Sequence, residues 1–450
     1  MARMFVLVLI TLSFIDSWKC LKVNINLPVT YRNALKNNQK RENQQEIWIT
    51  MNSDAAKSLS KSKKYTFQTK SISSSTNEAN QFLLQVAEPN LPLINHIIHN
   101  KRRGFGDYVV HRSLGEANRF LARAQFGDQS VFTIPKIDNQ RVVIALQRLI
   151  DSVRMRQFNQ ELVSSFRNRY YTSGYGYEAS QWIKNTWTRI ALPRDDITVA
   201  SFCHSGFRQE SIIATIKGSE KSVSEGYVED ALVIIGAHLD SINNYAEDNI
   251  MSMAPGADDN ASGLSILTEV LKVIAASGYR PKKTIQLIGF AAEEVGLYGS
   301  GLIASAYRKL KWKVEGMLNF DMVGYKGRGK DIFISSDHTN PNLANFLAKL
   351  ISTYLPNVTY GNMTKWSCFG CSDHAKWSSN DYPAAMVTAA VAPNDPHTFN
   401  PNYHSAKDLN VDGEVMKNFA LLAVAYAAEL AKGDITLNDV TNADVTISTL

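Results

Sequence analysis

The chain has 450 residues but only four cysteines, Cys20, Cys203, Cys368 and Cys371. So sparse a set excludes a fold built on a disulfide framework. Net charge is only +6, and Lys and Arg are spread evenly, with no basic block longer than Lys101-Arg102-Arg103. A nucleic-acid partner is therefore not expected. Beyond the first residues no apolar run is long enough to cross a bilayer, so no membrane-spanning role is expected either. No internal repeat is found. What remains is ordinary for a chain that buries a large core, 44% hydrophobic and 20% charged. The length suggests two or three units, or one large α/β domain with extensions.

Residues 1–17 read as a secretory signal. Arg3 gives a small positive start, and Phe5 to Ile15 form an apolar run too short to span a bilayer. An extracellular setting is expected. There, the local pair in Cys368-Phe369-Gly370-Cys371 is expected to form a small structural disulfide. In a cytosolic chain the same pair could serve redox or zinc chemistry, but zinc would need a second pair, which is absent.

Residues 18–128 are polar, yet Glu46 to Met51, Phe82 to Val86 and Asp107 to His111 are strand-like, which predicts a small α+β unit. Arg141 to Arg154 and Tyr177 to Ile190 carry apolar residues at helical spacing. From Ile212 strands and helices alternate. Ala231 to Ala237, Thr284 to Ala292, Gly316 to Phe320, Asp331 to Ser335 and Ala384 to Ala390 are predicted strands. Ser262 to Ala276, Gly301 to Leu310, Pro341 to Leu355 and Glu414 to Leu430 are predicted helices. The alternation predicts an α/β layered domain over 129–433, with a central mixed, mostly parallel sheet flanked by helices. Residues 434–450 are polar and read as a tail.

Ligands of such sheets sit beyond the carboxyl ends of the strands, and there the ionisable residues gather. One predicted strand ends in His238-Leu239-Asp240, and the loop that follows carries Asp258-Asp259 before a helix. Others end in Glu293-Glu294 and in Asp321, and His404 precedes the closing helix. Each piece alone has a bland reading: an N-cap, a solvated acidic pair, a hydrogen-bonded histidine. Together they would bury many carboxylates at one sheet edge, which is very costly without cations. Two histidines with several carboxylates suit Zn²⁺. Five ligands exceed one shell, which suggests two metals sharing a carboxylate, and a metal hydrolase.

The runs His238-Leu239-Asp240, Gly256 to Gly263 and Ala291-Ala292-Glu293-Glu294-Val295-Gly296-Leu297 resemble the co-catalytic di-zinc aminopeptidases, and more closely the secreted bacterial-type leucyl aminopeptidases. Phe166 to Thr172, His204-Ser205-Gly206, Asp321-Met322, Cys371-Ser372-Asp373-His374 and Tyr382 to Met386 fit as well. So does Asp107-Tyr108-Val109-Val110-His111, which resembles the end of that family's amino-terminal propeptide. The likeness runs from about residue 45 to 430.

The resemblance implies a zinc aminopeptidase with two Zn²⁺ per chain. It acts on peptide substrates with a free amino terminus and favours large hydrophobic terminal residues such as Leu. It implies that Asp259 bridges both ions, followed by a cis peptide bond. His238 and Asp321 would complete one site, Glu294 and His404 the other. Asp240 would orient His238, and Glu293 would act as general base. Neighbouring side chains in extended chain point opposite ways, so Glu294 can ligate while Glu293 faces the attacking water. Residues 18–128 would be a removable propeptide that inhibits its own enzyme, cut near Lys101-Arg102-Arg103 or before Ile134-Pro135. The alternative is a permanent accessory domain. A monomer is expected.

Two departures bear on specificity. The relatives carry a wider cysteine pair enclosing a tyrosine that helps stabilise the oxyanion; here Phe369 stands in the loop and cannot donate a hydrogen bond. Thr388 stands where relatives place an aromatic pocket residue. Asn357-Val358-Thr359 and Asn362-Met363-Thr364 are glycosylation sequons in loop-like context, whereas Asn260-Ala261-Ser262 lies in the metal loop and is expected to stay unmodified. A non-catalytic binding module would have lost a ligand or the base, and a one-zinc glutaminyl cyclase would not keep the full two-metal set. A carboxypeptidase would need a basic residue for the substrate carboxylate, and none stands out.

Overall fold

The computed structural model describes residues 46–61, 69–72, 81–99, 108–220, 222–224, 227–229, 231–363, 370–389 and 399–435. The signal at 1–17 and all but the first two residues of the 434–450 tail lie outside them. Apolar stretches in polar surroundings build a first unit. It comprises β1 (Glu46–Met51), α1 (Ser53–Lys61), β2 (Thr69–Ile72), β3 (Gln81–Ala87), α2 (Leu91–His99), β4 (Tyr108–His111) and α3 (Leu114–Phe126). Its antiparallel sheet has the order β2-β3-β1-β4. The small α+β unit expected from the sequence is present, but its core is not its own. Ile47, Ile49, Leu84, Ile94 and Tyr108 form one buried cluster with Tyr170, Tyr171, Ala292, Val295 and Tyr298 of the next domain.

That domain begins with α4 (Gln140–Gln147), α5 (Ser152–Ser165), α6 (Gly174–Ala191), β5 (Ile197–Phe202), β6 (Ser211–Ile216) and a hairpin of β7 (Ser222–Ser224) and β8 (Tyr227–Glu229). It continues through β9 (Leu232–His238), α7 (Ser262–Ser277), β10 (Arg280–Pro281), β11 (Thr284–Phe290), α8 (Tyr298–Lys309) and β12 (Val314–Phe320). It closes with β13 (Ile332–Ser335), α9 (Pro341–Tyr354), β14 (Tyr360–Met363), α10 (His374–Ser379), β15 (Ala384–Thr388), α11 (Gly413–Ala431) and β16 (Gly433–Asp434). The single helix expected over Arg141 to Arg154 is broken in two. Asp151 caps α5, its carboxylate accepting from the N–H groups of Val153 and Arg154. Aspartate satisfies a helix start better than a helix interior, so capping overrides the apolar periodicity.

The main sheet has eight strands in the order β14-β13-β15-β12-β9-β11-β6-β5. Its centre is parallel, β9 pairing with β11 and β12, and β12 with β15. β6 joins antiparallel at one side and β13 at the other. Alternate residues of β9 serve opposite layers, as strand geometry dictates. Val233, Ile235 and Ala237 pack with α4 to α7, α9 and α11. Leu232 and Ile234 pack with Ile303 and Tyr307 of α8 and Trp377 of α10. This three-layer α/β architecture is the one expected. Trp187 of α6 is fully buried and donates its indole N–H to Thr268 Oγ1 at 2.8 Å. Trp187→Ala should lower the unfolding free energy by about 3–5 kcal/mol, read from urea transitions followed by circular dichroism.

Candidate metal centre

Because β9, β11 and β12 run parallel, their carboxyl ends lie at one edge. His238 ends β9, Glu293 and Glu294 follow β11, and Asp321 follows β12. Asp259 is delivered by the loop entering α7, and its peptide bond to Asn260 is cis, as expected. His404 comes from the loop before α11. Ala292, Met322 and His404 all adopt positive φ, at 55°, 52° and 49°. Non-glycine residues seldom sit there, and clustering at one edge is typical of a working site.

The five expected ligand residues converge. Asp259 turns one oxygen to each histidine: Oδ1 lies 3.0 Å from His238 Nε2, and Oδ2 lies 2.9 Å from His404 Nε2. Asp321 Oδ1 is 3.4 Å from His238 Nε2, and Glu294 Oε2 is 2.8 Å from His404 Nε2. Two trios result, His238-Asp259-Asp321 and Asp259-Glu294-His404, each with ligand atoms within 4.8 Å of one another and able to hold a metal. Glu293 falls into a third grouping with His238 and Glu294. All six side chains are buried.

The donor chemistry fits a divalent cation. Glu294 Oε1 and Asp321 Oδ1 are buried without a hydrogen-bond partner. Unpaired buried carboxylate oxygens are costly, and a metal ion removes the cost. In the metal-free chain, protons fill the role. Burial would depress His404, but the carboxylate of Glu294 overcomes it and pushes the imidazole up to about 10. Burial pushes Glu294 up to about 7 against the pull of His404. Burial also holds Glu293 well above the usual carboxylate range.

Asp240 is placed as expected and does more. Its Oδ1 accepts from the N–H of Glu293 at 2.9 Å and its Oδ2 from that of Glu294 at 3.0 Å. Oδ1 also lies 3.5 Å from His238 Nδ1. One carboxylate thus orients both the imidazole and the acidic pair. Three supports were missed in the sequence. Asp408 accepts from the N–H groups of Asp258 at 3.1 Å and Asp259 at 3.1 Å. Asn244 places its amide 2.9 Å from His404 Nδ1. Arg169 lies fully buried beneath the Asp259 loop. Asp408 and Asn244 carry no spacing signal that would single them out, and Arg169 lies in the run Phe166 to Thr172, which the resemblance includes without giving it a role.

Cys203 and Cys371 are both disulfide-bonded. Their partners fall outside the described residues, as do Cys368 and Phe369. His374 faces the Asp337 carbonyl at 2.9 Å and His204 faces Ser211 Oγ at 2.8 Å, so neither joins the metal trios. Thr388 is buried and donates to the Met322 carbonyl at 3.2 Å. Asn357 and Asn362 are exposed; Asn260 is buried and donates to the Phe320 carbonyl at 2.8 Å. Among the described residues no helix is long and apolar enough to cross a membrane.

Fold and site together define a metal-dependent hydrolase of the layered α/β class. The model of peptidase family M28 matches residues 211–427. A leucine aminopeptidase of Arthroderma gypseum is 35% identical over 308 residues, 64% of this chain and 77% of that protein. A Saccharomyces cerevisiae protein named as an aminopeptidase is 36% identical over 262 residues, 56% of this chain and 66% of its own length. The crystal structure of the LapA aminopeptidase of Legionella pneumophila superposes with a TM-score of 0.66 at 25% identity. That match covers 86% of this chain and 99% of the other. It takes in more of the chain than residues 129–433 alone could give, so it includes part of the first unit. The chain belongs to peptidase family M28 and is a zinc aminopeptidase.

A cation in the Asp259-Glu294-His404 trio must displace the protons held by His404 and Glu294. Zinc affinity should therefore rise from pH 6 to pH 8, and binding at pH 7 should release protons. Titration calorimetry in buffers of different ionisation enthalpy reads this; a heat that is the same in every buffer would contradict it.

Proposed function

We propose that the chain is a secreted aminopeptidase that holds two zinc ions and favours large hydrophobic residues at the substrate's amino terminus. The observation that carries the two-metal reading is the seat of Asp259, one oxygen facing each of two imidazoles. His238 and Asp321 would hold one ion, Glu294 and His404 the other, with Asp259 shared. When bound, zinc supplies Lewis acidity toward a carbonyl oxygen and toward water.

Proton traffic falls to Glu293. Asp240 pins its backbone, and its carboxylate stands beside the ligand set without completing either trio that shares Asp259. It accepts the proton of the water that attacks the scissile carbonyl carbon and passes it to the nitrogen of the leaving chain. The C–N bond then breaks without expelling an amide anion. The hydrophobic preference is supported by the relative's name as a leucine aminopeptidase. Secretion is supported by the apolar start of the chain and by the absence of free cysteines among the described residues.

Residues 18–128 are proposed to be a propeptide. The described part of the unit provides none of the metal-centre residues yet packs on the stretch that follows Glu294. The Val110 N–H donates to the Gly296 carbonyl at 2.9 Å, and Arg112 donates to Tyr298 Oη at 2.7 Å.

Two tests follow. On leucyl-amide substrates the secreted enzyme should cleave the free-amine form and leave the amino-blocked form intact, with two zinc ions per chain by elemental analysis. Glu293→Gln should keep both ions and lose turnover by about 10²–10⁴-fold; near-normal turnover would refute the base assignment. Secondly, sequencing the amino end of the mature enzyme should find the first unit removed, with activity rising on its removal. An uncut chain of full activity would leave the accessory-domain reading.

A further inference from the structure

Arg169 is fully buried, yet among the described residues no carboxylate lies within ion-pairing distance of its guanidinium. Its donors go to backbone instead. Nε donates to the Leu239 carbonyl at 2.8 Å, Nη2 to the Gly256 carbonyl at 2.9 Å, and Nη1 to the Pro255 carbonyl. Leu239 is the residue after His238, and Pro255-Gly256 opens the loop that presents Asp259. The peptide groups of Arg169 extend the same tie. Its N–H donates to Ser241 Oγ at 3.0 Å, and Ser241 in turn donates to the Ala254 carbonyl at 2.7 Å. Its carbonyl accepts from Gln209 Nε2 at 2.7 Å, while Gln209 Oε1 accepts from the Ala292 N–H at 3.1 Å, next to Glu293.

One side chain and its own peptide therefore join the segments that carry His238, Asp259 and the Glu293-Glu294 pair. The packing admits no slack. Gly256 has φ +55°, and a Cβ there would lie 2.8 Å from Arg169 Nη2 and 2.3 Å from the Asp259 carbonyl oxygen. The buried cation is also balanced at a distance. The carboxylates that favour its charge are those of Asp240, Asp408, Asp259 and Glu294, the anions of the metal centre and its supports.

We propose that Arg169 is a positioning residue for the metal centre, its three-way grip on the carbonyls of residues 239, 255 and 256 setting the separation of His238 from Asp259. The proposal rests on the reading that these two residues hold metal. A guanidinium suits the task because its donors lie in a rigid planar fork, whereas the flexible ammonium of lysine carries three donors at a single point. Arg169→Lys keeps the charge and loses the fork. Ser241→Ala leaves the side chain of Arg169 untouched and releases the loop at Ala254.

The experiment compares wild type, Arg169→Lys and Ser241→Ala by zinc competition with a chromophoric chelator, by steady-state kinetics and by thermal unfolding of the metal-free forms. In Arg169→Lys, zinc affinity should fall by about 10–100-fold, and kcat should fall while KM stays near the wild-type value. Ser241→Ala should shift affinity the same way by less. A folded Arg169→Lys with wild-type zinc affinity and kcat overturns the proposal, as does a variant that only melts earlier. If Arg169→Lys does not fold, Arg169→Gln takes its place, and wild-type zinc affinity and kcat in that folded variant overturn the proposal. Zinc counting on the wild type separates the two ideas. A wild type that binds no zinc through His238 and Asp259 sinks the underlying reading, whereas normal wild-type binding with unaffected variants sinks only the role of Arg169.

Discussion

The carboxylate of Asp259 must lie, buried, about equally close to two imidazoles, and much of the molecule answers to that demand. Its backbone is held from one side by Asp408, which accepts from the N–H groups of both Asp258 and Asp259. Asn260 anchors the next residue to the end of β12 through the Phe320 carbonyl. Gly263 lets α7 approach β9 closely, since a Cβ there would meet Ala237 Cβ at 2.8 Å and Asn260 Oδ1 at 2.6 Å. The buried carboxylates around this point repel one another, and only cations, or protons in their absence, make the arrangement tolerable. The fold thus concentrates unfavourable charge at one edge, and metal affinity is the return on that cost.

The layered domain was legible because its signals are local. A short continuous apolar run such as 231–237 is what a strand covered on both faces requires, and β9 is buried along its whole length. The convergence of His238, Asp259, Glu294, Asp321 and His404 was legible because ionisable residues at successive strand ends are expensive unless used. Assigning a role to each residue needed the family resemblance, since spacing alone does not separate Glu293 from Glu294. Other features were not legible. Asp151 divides one apolar period into two helices, a contest between capping and periodicity that sequence spacing does not settle. Arg169 and Asp408 act on backbone groups, and backbone partners leave no trace in side-chain pattern.

The first unit and the metal centre share one stretch of chain. Glu293 and Glu294 lead directly into Val295, Gly296 and Leu297, and this turn carries the positive φ of Gly296 and Leu297. Val110 hydrogen-bonds to Gly296, and a Cβ on Gly296 would collide with Tyr108 and Val110. Further along β4, Lys376 of α10 donates to the Val110 carbonyl and lies 3.1 Å from His111 Nδ1. Burial lowers both basic groups, His111 well below the usual imidazole range and Lys376 to about 7, so the junction packs basic side chains that burial disposes to lose their protons.

A linkage between metal and the first unit follows from that shared stretch. Ordering the turn at 295–297 restricts the Glu293-Glu294 pair, because both are fixed to the same backbone through Asp240 and through the N–H of Leu297, which donates to the Glu293 carbonyl at 2.7 Å. A ligand that requires an ordered pair and a unit that requires an ordered turn each prepay part of the other's entropy. The coupling is reciprocal by thermodynamic necessity. Residues 293–297 are thus a stretch held both by the supports of the metal centre and by the first unit.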